Sequence, residues 1–246
     1  MSGFRVVIPA RYASMRLPGK PLLEIAGRPL IEHVYRRAVQ ASASAVVIAT
    51  DDAAIHAVAE RLGAQAVMTS PDHQSGSDRI AECADRLGWD DETLVVNLQG
   101  DEPLMPSACL EQVAALLTAD PDADVSSLYW PVASADEASD PNSVKVVVDR
   151  SGAALYFSRA AIPYPRAAAQ TVWKRHIGLY AYRAGALRAF AATAPGELEQ
   201  SEKLEQLRFL EAGRKIRMAR ACEAIPAGVD TLADLQRVRD LLAAAD

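Results

Sequence analysis

Apolar runs and helical stripes alternate along the first half of the chain. Residues 4–9 (FRVVIP) are a short apolar run that reads as a strand leading into a loop of Pro and Arg. Pro29 stands where a helix can start, and Leu30, Ile31, Val34, Tyr35, Ala38 and Val39 recur at close to helical spacing. Residues 45–50 (AVVIAT) read as a second strand. Asp51 and Asp52 suit the cap of a helix carrying Ile55, Val58, Ala59 and Leu62, and Gly63 closes it. A strand over 64–69, a helix over 77–87 closed by Gly88, a strand over 94–98 (LVVNL) and a helix over 106–118 continue the series. Strands that are apolar on both faces, alternating with helices, predict an α/β domain whose mostly parallel sheet is covered on both sides.

Past Asp124 the rhythm changes. Residues 125–130, 144–149 and 153–157 read as strands, and the turn Asp149-Arg-Ser-Gly152 predicts a hairpin between the last two. Another strand is expected over 175–182, helices over 184–194 and 201–212, and a strand over 215–219. A last helix begins at Thr231, its cap, and runs through Leu232, Leu235, Val238 and Leu241. The Ala-rich stretch 167–170 is the expected flexible loop. The pattern divides one domain into a core of about 1–123 and 215–246 and a smaller, β-rich lobe of about 124–214.

Composition narrows the class. With 246 residues, half of them apolar and 24% charged, the chain has the balance of a globular protein with one sizeable core. The start, MSGFRVVIPAR, has no cationic stretch ahead of an apolar core, so no secretory signal is expected. No run approaches the ~18 apolar residues of a membrane span. Cys83, Cys109 and Cys222 are odd in number and lack CxxC spacing, which suits reduced thiols in the cytoplasm better than disulfides or zinc. The net charge of −6 argues against nucleic-acid or bilayer binding but leaves anionic small substrates open, because the placement of Arg and Lys decides that.

Ligands of an open parallel sheet bind beyond the carboxyl ends of its strands, and the informative segments fall there. After the first strand, Arg11, Arg16 and Lys20 share a loop with Ser14 and Gly19, a composition suited either to cradling a polyphosphate or to a solvated basic loop. It is neither a Walker A loop nor a GxGxxG turn. After the fourth strand, Leu98-Gln-Gly-Asp-Glu-Pro103 places Asp101 where a Mg²⁺ ligand belongs, the alternative being a turn cap ahead of Pro103. Glu102 is a weaker candidate and reads as exposed. In DHQSGSDR (72–79), Ser75 or Ser77 as cap and Asp78 in the first turn give a structural account, and Asp230 reads equally as a cap-region carboxylate. The four His residues are too dispersed for a metal cluster; His176 stands out because it opens the apolar run HIGLY.

The run VVIPARYASMRLPGKPL resembles the amino-terminal signature of the 3-deoxy-manno-octulosonate (KDO) cytidylyltransferases. The likeness continues in order through DHQSGSDR, VVNLQGDEPL, PNSVKVVV, ALYFSRAAIPY, RHIGLYAYR, LEQLRFLEAG and GVDTLADLQRVR, from about residue 4 to 240. The resemblance implies a GT-A-like, Rossmann-related fold and a homodimer formed through the smaller lobe. It also implies transfer of CMP from CTP to the anomeric hydroxyl of KDO with release of pyrophosphate, an activation step for lipopolysaccharide synthesis. Carried over by motif, Arg11, Arg16 and Lys20 match the triphosphate loop, with Lys20 nearest the α-phosphate. Gln74, Ser75 and Gly76 match the cytosine and ribose pocket. Gln99 matches the glutamine of the QGDEP motif, facing nucleotide and sugar, and Asp101 and Asp230 match two Mg²⁺ ligands. Arg159, His176, Tyr180, Glu205 and Gln206 match residues around the acid sugar. Met15 stands where many relatives have Thr or Ser, Asp78 where several have Glu, and the segment between Arg166 and Arg175 looks shorter than in some relatives.

What the resemblance implies mechanistically is in-line displacement at the α-phosphorus, with Lys20, Arg16 and Asp101 as the catalytic groups and Mg²⁺ as cofactor. Three alternatives stay open at this level. They are a cytidylyltransferase for another acid sugar such as an amino-substituted KDO or sialic acid, a nucleotidyltransferase for a sugar 1-phosphate, and a non-catalytic nucleotide-binding protein.

Overall fold

A computed structural model describes residues 3–13, 17–132, 134–166 and 172–243 of the chain. Arg16, with Ser14 and Met15, and the Ala-rich stretch 167–170 lie outside the described residues. The elements run β1 (Arg5–Ala10), a 3₁₀ turn (Lys20–Leu22), β2 (Glu24–Ile25), β3 (Arg28–Pro29), α1 (Leu30–Val39), β4 (Ala45–Thr50), α2 (Ala53–Arg61), β5 (Gln65–Met68), α3 (Gly76–Arg86), β6 (Leu94–Asn97) and α4 (Ser107–Ala119). The second half adds β7 (Val125–Pro131), α5 (Ala135–Ser139), β8 (Lys145–Val148), β9 (Ala154–Ser158), β10 (Lys174–Arg183), α6 (Ala184–Ala191), α7 (Glu197–Glu202), α8 (Gln206–Glu211), β11 (Ile216–Arg220) and α9 (Leu232–Ala243).

The main sheet has the order β11-β7-β10-β6-β1-β4-β5. All pairings along it are parallel except those of β10, which opposes both β6 and β7. The α/β class and the mostly parallel sheet are therefore as the apolar pattern predicts. The β8–β9 hairpin also forms as expected and attaches to the end of β10, where Arg175 faces Lys145.

Alternation within β1 explains the layering. Val6, Ile8 and Ala10 pack with α1, α2 and α4 on one face, while Val7 packs with α3, α6 and α8 on the other. Each such fully buried Val or Ile side chain contributes roughly 1.5–3 kcal/mol. A third, smaller cluster joins Leu17, Ile25 and Leu30 to Val229, Leu235 and Val238 of the last loop and α9.

Local features depart from the sequence pattern. The single helix expected over 201–212 is broken into α7 and α8 by Lys203, whose backbone is left-handed (φ 55°). The break turns Leu204 into the core and lets Arg208 of α8 donate to both carboxylate oxygens of Glu199 at 2.6 Å. A continuous amphipathic stripe hides this, because the residues that break it do so through tertiary contacts. The short β2–β3 hairpin, the 3₁₀ turn and α5 were also not legible, each being too short to leave a period. Cys109 and Cys222, distant in sequence, lie with their sulfurs 3.7 Å apart and remain thiols.

Candidate active site

Beyond the carboxyl ends of β1 and β6 the structure opens into two adjoining compartments. The first, about 340 Å³, is walled by the loop after β1, by Lys20, by the start of α3, by the loop after β6 and by Asp230. Glycine makes the close approaches possible. A Cβ at Gly100 would lie 2.9 Å from the Pro9 carbonyl oxygen, and one at Gly228 would lie 2.9 Å from the Asp101 carbonyl oxygen. With that space clear, the Val229 N–H donates to the Asp101 carbonyl at 2.8 Å and brings the late loop against the middle of the chain.

Lys20 sits at the join. Gly19, at φ 67°, donates its N–H to the Tyr12 carbonyl and turns the chain into the 3₁₀ segment that carries Lys20 inward. The ammonium uses all three of its donors: Asp101 Oδ2 at 2.6 Å, the Val229 carbonyl at 2.9 Å and Asp230 Oδ1 at 3.2 Å. Asp230 is not the cap of α9. Thr231 Oγ1 accepts from the Asp234 N–H while the Asp234 carboxylate accepts from the N–H groups of Asp230 and Thr231. The structural alternative for Asp230 is thereby taken by its neighbours.

Glu102 corrects the sequence reading. It is not exposed: its Oε2 is buried without a hydrogen-bond partner. Burial, then the charges of Asp101 and Asp230, push its carboxyl up to about 8. Asp101, Asp230 and Glu102 thus gather around Lys20, and hard oxygen donors of this kind fit Mg²⁺. Among the described residues no group of three or more His, Cys, Asp or Glu side chains forms a ready-made cage. A sparse protein shell is the usual arrangement for Mg²⁺ when substrate phosphates supply further ligands.

At the start of α3, Ser75 is the cap, accepting from the Asp78 N–H at 3.1 Å and donating to its carboxylate at 2.8 Å. It also lines the first compartment, as do Arg11, Gln74, Gly76 and Gln99. Gln74 donates its amide N–H to the Asp72 carbonyl at 2.8 Å. Sequence reasoning missed Arg79, whose buried guanidinium donates to Asp51 at 2.7 Å and also to Thr69 while lining the same compartment. The available signal was the Asp51-Asp52 pair, of which α2 needs only Asp52 as cap.

The second compartment, about 270 Å³, lies against β10. Residues 176, 178, 180 and 182 fall on one face of that strand by its two-residue period. His176, Tyr180 and Tyr182 continue as an aromatic row from Phe157 to Phe209, with neighbouring ring centroids 5.0 to 5.8 Å apart. Burial pushes the His176 imidazole down to about 3, so it serves as a neutral hydrogen-bonding ring, with Nε2 3.2 Å from Ser127 Oγ. Gln206 and Glu205 complete the wall, and Glu205 and Gln99 line both compartments. Arg159 does not line either one. Its guanidinium donates to the main-chain carbonyls of Pro141, Glu202 and Lys203, holding the left-handed turn just ahead of Glu205. Lys203, unremarked in the sequence pattern, lines the second compartment.

Comparison with known proteins gives the family. Residues 5–216 match a family model described as cytidylyltransferase. The chain is 53% identical over 248 residues to the 3-deoxy-manno-octulosonate cytidylyltransferase of Thioalkalivibrio sulfidiphilus, covering 98% of this chain and 99% of that one. It is 51% identical over 257 residues to the enzyme of the same name from Aeromonas salmonicida, again covering 98% and 99%. Among solved structures, CMP:2-keto-3-deoxy-manno-octonic acid synthetase complexed with CTP superimposes with a TM-score of 0.93 at 43% identity, covering 99% of this chain and 100% of that one. A 4-diphosphocytidyl-2C-methyl-D-erythritol synthase, at 15% identity and a TM-score of 0.63, shares the fold.

Proposed function

The chain belongs to the 3-deoxy-manno-octulosonate cytidylyltransferase family, and we propose from that premise that its two compartments hold the two substrates of one reaction. CTP occupies the first, the acid sugar KDO the second, and the enzyme transfers CMP to the anomeric hydroxyl of KDO with release of pyrophosphate. The observation that carries the reading is the Lys20 junction, where one ammonium and two aspartates meet at the mouth of the loop after β1. The named relatives all bear the KDO activity, so another acid sugar is not favoured.

In this reading Arg11, Arg16 and Lys20 cradle the triphosphate, and Gln74, Ser75 and Gly76 bound the nucleoside. Gln99 faces both substrates. His176, Tyr180 and Gln206 offer neutral hydrogen-bonding groups to the sugar hydroxyls, while Glu205 offers a carboxylate. Arg159 acts by fixing the turn that presents Glu205. Asp101 and Asp230 would hold Mg²⁺, which when bound lowers the pKa of a ligated hydroxyl and neutralises phosphate charge. Lys20 lies where it can exchange its aspartate partners for phosphate oxygens, so positive charge is already in place as negative charge develops. No covalent intermediate on the protein is required for this direct displacement.

Incubation with CTP, KDO and Mg²⁺ should release pyrophosphate, and EDTA should stop it. Release with UTP or with a hexose 1-phosphate in place of the respective substrate, at equal rate, would overturn the assignment.

The division of labour within the chain belongs to the same proposal: residues 1–123 and 215–246 hold nucleotide and metal, and residues 124–214 hold the sugar and the contact with a second copy. Leu155, Tyr164 and Val172 stand exposed on that lobe, which supports a homodimer. Sedimentation equilibrium should give twice the chain mass, and Leu155→Glu with Val172→Glu should return it to one. A cytoplasmic location is part of the proposal too. No helix of the described residues is long and apolar enough to cross a membrane, and recovery in the membrane fraction of lysed cells would count against it.

A further inference from the structure

We propose that Glu205 is the catalytic base that takes the proton from the attacking sugar hydroxyl. The inference rests on the reading of the two compartments given above. The hydroxyl oxygen comes from one substrate and the phosphorus from the other, so the reacting atoms meet where the compartments adjoin. Among the described residues lining each compartment, two are common to both, Gln99 and Glu205. Gln99 has no basic atom. Glu205 has a carboxylate.

The other acceptors nearby are poorly suited. Asp101 and Asp230 both receive Lys20. His176 is neutral but lies deep in the second compartment, held beside Ser127. Glu205, in contrast, stands at the break between α7 and α8, presented by the left-handed turn that Arg159 pins through the carbonyls of Glu202 and Lys203. Ser77 Oγ of α3 donates to its Oε2 at 3.3 Å, which orients one carboxylate oxygen.

Every packed element presents a group to Glu205. From α3 come Ser77 and Asp78, from α7 Glu199, from α8 Arg208, and from β10 Tyr180 and Tyr182. Desolvation raises the carboxyl above its usual range. The Ser77 bond opposes that rise, Asp78 and Glu199 add to it, and Arg208 subtracts from it. Arg208 is matched by its paired bonds to Glu199, so it does not cancel the effect. A carboxylate raised above its usual range accepts a proton more readily than an ordinary one.

The step balances. The O–H bond of the anomeric hydroxyl breaks and its proton passes to Glu205. The freed oxygen electron pair forms the bond to the α-phosphorus. The bond from that phosphorus to the bridging oxygen breaks, and pyrophosphate leaves with the pair. Glu205 then returns the proton to solvent.

The test is the pH dependence of kcat for the wild type, Glu205→Gln and Ser77→Ala, with CTP binding measured on each as a check of fold. Glu205→Gln should lower kcat by about 10²- to 10⁴-fold with KM for CTP unchanged, and should lose the acid limb of the profile. Ser77→Ala should move that limb to higher pH, because it removes a bond that favours the ionised carboxylate. A Glu205→Gln enzyme that keeps both kcat and the acid limb while KM for KDO rises makes Glu205 a sugar anchor and overturns the proposal. So does a limb that Ser77→Ala leaves in place. A wild type that releases no pyrophosphate from CTP and KDO strikes the function itself, which separates the two failures.

Discussion

Asp101→Asn should lower pyrophosphate release by more than about 100-fold while leaving the fold and nucleotide binding in place. The floor of that estimate comes from outer-shell changes at metal centres, which already cost about 10- to 100-fold, so loss of a direct carboxylate ligand exceeds it. Asparagine keeps the size of the side chain and can still accept from Lys20, so the Oδ2 contact at 2.6 Å is weakened rather than deleted. The Asp101 carbonyl, which receives the Val229 N–H, is untouched. Steady-state kinetics at several Mg²⁺ concentrations, with circular dichroism as the control, provide the check. Turnover close to wild type at saturating Mg²⁺ would falsify the metal assignment.

Lys20→Met should be nearly as severe, at about 10²- to 10³-fold in kcat, the loss expected when one preorganised charge at a developing oxyanion is removed. A second effect separates it from the Asp101 variant. Without the ammonium, Asp101 and Asp230 each lose their contact with Lys20 beside the buried Glu102. The free protein should therefore be destabilised, and Mg²⁺ should raise the thermal midpoint of Lys20→Met more than that of the wild type. Equal stabilisation of both by Mg²⁺ would show that Lys20 does not share the site with the metal.

The sequence made the sheet and most of its helices readable because each helix carries a stripe long enough to establish a period. The helix carrying Leu30 to Val39 and the strand AVVIAT fall where the apolar pattern puts them. The reversed direction of β10 was not readable, since strand direction depends on the connection before it and not on HIGLY itself. Lys20 and Asp101 could be singled out because each follows a strand end. Asp230 could not be told from a cap until Thr231 and Asp234 were seen to cap each other. The environment of Glu102 was invisible for a different reason: it is made by Gly228, more than a hundred residues away, whose missing side chain lets the late loop cover it. Arg16 was singled out by the same loop logic as Lys20, and lies outside the described residues.

The small third cluster carries a mechanical consequence. Leu17, five residues from the Tyr12 carbonyl that anchors Gly19, packs in the same group as Val229, the residue before Asp230. The loop after β1 and the late aspartate are thus tied by shared apolar contacts and by Lys20. Their relative placement is set in folding, so the conformational entropy of bringing the two segments together is not left for ligand binding to lose.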